Sequence, residues 1–162
     1  MTDPLITFTI PGKPHAWQRP VKDPRTGRIF TPAPTKAAEK RIRCAALAAF
    51  SAQGVDHLPA SPKGKWRERV VLRVSAVFVF PRPLYLALED QGRHYYGGPA
   101  DIDRCINTLL DGLQHERNKR KRITARGVID DDRQIREIGS VASFYAALDE
   151  EPHTTVKIWR IR

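Results

Sequence analysis

The sequence predicts an α+β (mixed α/β) fold, a single compact domain with one mixed β-sheet and two main helices in the order β-α-β-α-β-β. Three observations carry this. Apolar residues alternate with period two over residues 5–10 and 69–80, as they do in half-buried or central strands. They recur at helical spacing over residues 38–50 and 102–113. Two further strand-like segments, 134–147 and 154–161, follow each other across the polar turn LDEEPH. A chain of 162 residues is one domain's worth, long enough to bury a core.

In LITFTI (5–10), Ile6, Phe8 and Ile10 share one face. A Gly/Pro-rich basic loop follows, about residues 11–34. Thr35 after Pro34 is a helix-capping candidate, and Ala38, Ile42, Ala45, Ala46, Ala49 and Phe50 form the helix's apolar stripe. Gly54, Pro59, Pro62 and Gly64 break the chain into a loop over 52–67. RVVLRVSAVFVF (69–80) is apolar on both faces, with Val71, Val77 and Val79 opposite Val70, Leu72, Val74, Ala76, Phe78 and Phe80, so it reads as a central, doubly covered strand. The long loop 81–100 precedes a second helix that starts near Asp101 and carries Ile102, Ile106, Leu109, Leu110 and Leu113. A second basic loop occupies about 114–127.

The charge narrows the function. With 28 Lys+Arg against 18 Asp+Glu, the net charge is +10, which points to a polyanionic partner. The basic residues cluster in KPHAWQRPVKDPRTGR and RNKRKRITAR rather than on an amphipathic helix, which favours nucleic acid over a membrane surface. No run of eighteen apolar residues and no basic-then-apolar start occur, so neither a membrane span nor a secretory leader is expected, and a cytoplasmic, DNA-associated protein is. Cys44 and Cys105 are too few for a disulfide scaffold or a cysteine zinc site and read as packing residues in helices. No phosphate-cradling or dinucleotide glycine motif occurs, so no nucleotide cofactor is expected. The histidines, His15, His57, His94, His115 and His153, are scattered without metal-site spacing and read as surface residues. Trp17, Trp66 and Trp159 read as packing residues that have the chemistry to stack on bases.

Acidic residues are the minority, and they cluster. Asp101 and Asp103 enter the second helix in PADIDR; Asp130, Asp131 and Asp132 are consecutive in VIDDDRQI. Carboxylates at a helix start can be caps or ligands, and a triple Asp before a strand can be a turn. If the two groups meet, a cation must sit between them or some carboxyls must stay protonated. The cation is either Mg²⁺, with Mn²⁺ as the alternative hard ion, or an arginine such as Arg104 or Arg133. Convergence of Asp101 with Asp103 requires Asp101 to lie on an extended lead-in. Along a strand, Asp131 and Asp132 point oppositely, and one of them should face the first group.

These segments, in this order, carry a resemblance. FTIPGKPHAWQRP, GRIFTPAPT, PADIDRCINTLLDGL and GVIDDDRQI together resemble the RusA family of Holliday junction resolvases, whose helix motif is P-D-x-D-N-x-x-K-x-x-x-D-x-L and whose later segment is V-x-x-D-D-x-Q-[IV]. The resemblance covers most of the chain and implies a magnesium-dependent homodimeric endodeoxyribonuclease that resolves four-way DNA by paired symmetric nicks in recombination and repair. It makes Asp101, Asp103 and Asp132 the catalytic, metal-binding residues, with Asp131 and Asp111 in support, while Arg104 is a candidate support on its own chemistry, since a guanidinium can grip a phosphate or brace a carboxylate. Lys13, Arg19, Lys22, Arg25, Arg28, Lys119, Arg120, Lys121 and Arg122 are the expected DNA-binding residues. Two departures stand out: the family's Asn is Arg104, and its helix lysine is Asn107. The alternatives are a non-catalytic nucleic-acid-binding protein and a metal nuclease acting on other branched DNA.

Overall fold

A computed structural model describes residues 3–55, 57–59, 70–86, 91–118 and 120–161. The alternating segment near the N-terminus forms β1 (Ile6–Pro11), with Ile6, Phe8 and Ile10 buried and the residues between them exposed. The helical stripe forms α1 (Ala33–Ala52). The long apolar run forms β4 (Leu72–Phe80), and the second stripe forms α2 (Ile102–Leu113). The C-terminal pair are β8 (Ile135–Tyr145) and β9 (His153–Arg160). A short β5 (His94–Tyr95) pairs with β8 out of the expected long loop.

These strands make one mixed sheet in the order β1-β9-β4-β8-β5. β4 runs parallel to β8 and antiparallel to β9, and β1 is antiparallel to β9. Parallel neighbours cannot be joined by a tight turn, so the chain between β4 and β8 must cross over, and α2 lies in that crossover. The crossover brings the chain from α2 back to the start of β8, where the second aspartate group lies. The result is the expected α+β class: one compact domain with a mixed sheet and two helices.

Both helices pack on one face of the sheet. Ile42, Ala46 and Phe50 of α1 and Cys105, Leu109 and Leu113 of α2 join Ile6, Phe8, Leu72, Val74, Ala76, Phe78, Val156 and Ile158 in the core. The helices approach closely at Gly112, where a Cβ would fall 2.6 Å from Ile42 Cβ. The central placing of β4 is as expected, but it is not doubly covered. On its other side Arg73, Ser75 and Val77 are only half-buried and Val79 alone is fully buried, because no helix packs there among the described residues.

Other expectations need correction. Thr35 does not cap α1: Pro32 stands at that position, and the buried Thr35 hydroxyl is hydrogen-bonded to His15 Nε2 at 3.0 Å. Cys44 is exposed on α1, whereas Cys105 is buried as a packing residue should be. The two basic stretches are hairpins rather than open loops. β2 (Val21–Lys22) pairs with β3 (Ile29–Phe30) around a turn in which Asp23 Oδ1 accepts the Arg25 N–H at 2.8 Å. β6 (Glu116–Arg117) pairs with β7 (Ile123–Ala125) around a turn in which Asn118 Oδ1 accepts the N–H groups of Arg120 and Arg122. Short polar side chains that bind the backbone two to four residues on are what fold such turns locally. No helix among the described residues is long and apolar enough to cross a membrane.

Candidate metal and nucleic-acid site

The mouth of α2 is built by its own sequence. Asp101 precedes the helix with φ −64° and ψ 136°, an extended residue, which is the condition for its side chain to converge with that of Asp103. Asp103 sits in the first helical turn, where the partial positive charge of the helix N-terminus favours it. Both carboxylates are exposed, and Arg104 Nε lies 3.3 Å from Asp101 Oδ2. The two charges act on their neighbour Cys105: burial first, then Asp103 and Asp101, push its thiol up to about 11. Cys105 is therefore an inert packing group and not a nucleophile.

The second acidic group is a turn and not the start of a strand. Asp132–Gln134 form one turn of 3-10 helix, capped by Asp131. The Asp131 carboxylate accepts the Arg133 N–H at 2.9 Å, and Gln134 Oε1 accepts the N–H groups of Asp130 at 2.8 Å and Asp131 at 3.3 Å. Gln134 Nε2 in turn donates to the Leu58 carbonyl at 2.9 Å. The strand expectation of opposite-pointing side chains fails for this reason. Asp131 and Asp132 are neighbouring carboxyls whose charges act on each other. The backbone N–H of Arg133 holds the Asp131 carboxyl below the ordinary range, whereas burial and Asp131 raise that of Asp132.

The crossover sets this turn against α2. Asp132, Asn107, Leu110, Asp111 and Trp17 line a cavity of about 210 Å³. Asp103 lies four residues before Asn107, one helical turn or about 6 Å along the same face. The face therefore runs Asp103, Asn107, Asp111, with Asp132 beside its later part. Asp111 is half-buried; burial and then Asp132 raise its carboxyl, against a hydrogen bond from Gln114 Nε2 at 2.9 Å. Asn107, at the lysine position of the resembled motif, borders the cavity, and no basic residue lines it among the described residues.

The first basic stretch borders the same face. The Trp17 N–H donates to the Arg104 carbonyl at 3.0 Å. Lys13 and Arg19 line, with His15, Trp17, Ala100 and Arg104, a second cleft of about 540 Å³. Lys22, Arg25 and Arg28 are exposed on the β2–β3 hairpin, and Arg120, Lys121 and Arg122 are exposed on the β6–β7 turn. Lys119 and Trp66 lie outside the described residues.

Sequence reasoning missed one group altogether. His57, His115 and Asp130 come together with their three ligand atoms within 4.8 Å of one another, a possible metal-binding triad. His57 Nε2 lies 2.9 Å, and His115 Nε2 3.1 Å, from Asp130 Oδ1. The surface reading of these histidines is wrong: His115 is buried, and His57 is partly so. No local signal could reveal them, because the partners lie 73 residues apart for His57 and Asp130 and meet only through the fold.

Comparison with models of known protein families and with curated protein sequences finds no match.

Proposed function

We propose that the protein is a divalent-metal-dependent endodeoxyribonuclease acting on four-way DNA junctions, as its resemblance to RusA-type resolvases implies. The observation that carries this reading is the meeting of Asp132 with the α2 face that bears Asp103, Asn107 and Asp111. Asp132 meets α2 beside Asn107 and Asp111, inside a chain of charge +10 whose basic residues Lys13, Arg19 and Arg104 line a cleft that shares Trp17.

The donor set suits a hard cation. Asp101, Asp103 and Asp132 offer carboxylate oxygens only, which favours Mg²⁺ or Mn²⁺ over softer ions. Burial and then the neighbouring Asp131 raise the Asp132 carboxyl, as crowding of carboxyls does, and a bound cation would relieve that crowding. Such a cation, when bound, lowers the pKa of a water and offsets charge on the phosphate.

The chain's own residues supply the rest. Arg104 braces the Asp101 carboxylate, and Asp131 caps the turn that carries Asp132. Lys13 and Arg19 beside α2, and the arginines of both hairpins, hold backbone phosphates. Such contacts carry little sequence information, which suits recognition of a branched shape. Paired nicks on a two-fold substrate call for a homodimer.

Asp103→Asn and Asp132→Asn are each expected to lower Mg²⁺-dependent cleavage of a synthetic junction by at least about a hundredfold, while junction binding is kept. Normal cutting by either variant would refute the metal assignment. Cleavage of flaps or forks in preference to junctions would assign a different branched substrate, and sedimentation as a monomer at micromolar concentration would remove the dimer. Asn107 at the cavity, where the resembled motif has a lysine, favours one other reading, a non-catalytic DNA-binding protein. It predicts junction binding with no cleavage in Mg²⁺ or Mn²⁺.

A further inference from the structure

The His57–Asp130–His115 triad lies immediately behind the acidic turn. We propose that it is a hydrogen-bonded clamp rather than a metal site, in which two imidazole N–H groups hold the Asp130 carboxylate and so set the 130–134 turn against α2. The histidines are then positioning residues. Their effect on cleavage rests on the nuclease reading above; the clamp itself does not.

The tautomer of His115 decides between the two chemistries. The Gly127 N–H donates to His115 Nδ1 at 2.8 Å. A backbone amide can only donate, so Nδ1 carries no proton, and the neutral ring keeps its one proton on Nε2. Nε2 is the atom 3.1 Å from Asp130 Oδ1, so its proton is on the carboxylate side of the ring. A metal at Nε2 would need the proton moved to Nδ1, against the Gly127 N–H. Ligating histidines instead present their second N–H to an acceptor. Gly127 has no room to turn away: a Cβ there would lie 2.4 Å from the Gln114 carbonyl oxygen. The next residues are also pinned, with the N–H groups of Val128 and Ile129 donating to the Leu113 carbonyl.

Ring geometry agrees. The two imidazoles stack with centroids 5.0 Å apart and planes 14° apart. Nitrogen lone pairs lie in the ring planes, and two nearly parallel stacked planes do not converge on one point about 2.0–2.1 Å from each nitrogen. One carboxylate oxygen can serve both at the longer distances seen, 2.9 and 3.1 Å, because it has two lone pairs and a broad acceptor geometry. Burial, then His57 and Arg117, lower the His115 pKa against the pull of Asp130, which keeps the ring in the neutral, single-proton form.

The clamp belongs to a larger fastening. The Leu58 N–H donates to the Val128 carbonyl at 2.8 Å, and the Leu58 carbonyl takes the Gln134 amide. Residues 57 and 58 therefore grip the turn at both ends, through the His57 side chain and the Leu58 backbone.

The test replaces each histidine by Gln, which can keep a donor near the Nε2 position, and by Leu, which cannot. Readouts are hydrogen exchange of the 130–134 amides, absorbance on adding Co²⁺, and the Mg²⁺ concentration for half-maximal junction cleavage set against the rate at saturating Mg²⁺. The clamp predicts that His115→Gln and His57→Gln stay near wild type. It predicts that His115→Leu and His57→Leu speed exchange of the turn and raise the Mg²⁺ requirement about tenfold, with a smaller change in the saturated rate. If His115→Leu does not fold, the less buried His57→Leu carries the comparison. Stoichiometric Co²⁺ binding with intense tetrahedral bands, lost in His115→Gln, would overturn the clamp in favour of a metal site. Unchanged turn exchange in both Leu variants would also overturn it. If wild type does not cleave, the nuclease reading fails alone, because exchange and Co²⁺ absorbance still judge the clamp.

Discussion

The two acidic groups are held in opposite ways. Asp101 and Asp103 stand exposed at the helix mouth, where Arg104 approaches Asp101. The 130–132 turn is tied to distant parts of the chain: His57 Nε2 and His115 Nε2 lie 2.9 and 3.1 Å from Asp130 Oδ1, the Arg133 N–H donates to Asp131, and Gln134 links the N–H groups of Asp130 and Asp131 to the Leu58 carbonyl. The helix mouth needs only local instructions, an extended residue followed by an amphipathic helix with its N-terminal field. The turn needs Leu58, His57 and His115, which come from other parts of the chain. The difference teaches which half of the site is fragile. Damage to the protein's packing should disturb the turn before the helix mouth.

The sharpest way to break the comparison is the pair Asp103→Asn and Asp132→Asn. If both halves hold one cation, the two losses in cleavage should be of the same order, about a hundredfold or more. A large loss in one and none in the other would mean that the halves do not act together.

Gln134→Ala comes next. It leaves the N–H groups of Asp130 and Asp131 and the Leu58 carbonyl without their partner. Unpaired groups at a buried position predict a loss of about 1–3 kcal/mol in urea unfolding, with a raised Mg²⁺ requirement. Stability unchanged within error would mean that the turn is held by something else.

Arg104→Ala probes the helix mouth in the same way and should cost less than about 1 kcal/mol, because both partners are largely exposed and screened. A larger cost would erase the distinction between a local half and a tertiary half.

Glu150 supplies a reference at another part of the surface. Arg93 Nε donates to both its carboxylate oxygens, at 3.0 and 2.8 Å, and this pairing first, then the Ala147 N–H, holds its carboxyl below the ordinary 4.5. A depressed folded value stabilises above the unfolded value and loses that stabilisation as pH falls through the folded one. Glu150→Gln should therefore be slightly less stable than wild type at neutral pH, by under about 1 kcal/mol, with the gap closing below pH 4.5 in thermal unfolding. A gap that widened in acid would contradict the pairing.

Much of the framework was legible in the chain itself. The period-two run at 5–10 forms β1, that at 69–80 forms β4 over Leu72–Phe80 with Arg69 outside the described residues, and the helical stripes form α1 and α2, because one-sided burial is written directly into residue spacing. Errors arose where a local signal had a competitor. Pro34 fits the first turn of α1, so Thr35 falls inside the helix and is taken by His15. The aspartate run reads as a strand lead-in by its flanking apolar residues, but Asp131 and Gln134 cap each other into a turn. Asn118 and Asp23 fold the basic stretches into hairpins for a similar reason.

By itself, the sequence determined the charge, the fold class and the residues at the helix mouth, since each depends on neighbours within a few positions. Only the tertiary structure decided that Asp132 lies against Asn107 and Asp111, and that His57 and His115 meet on Asp130. Those meetings follow from the parallel pairing of β4 with β8, which forces the chain to cross over with α2 between them. Residues dozens of positions apart meet there because of strand order, a property that no local spacing encodes.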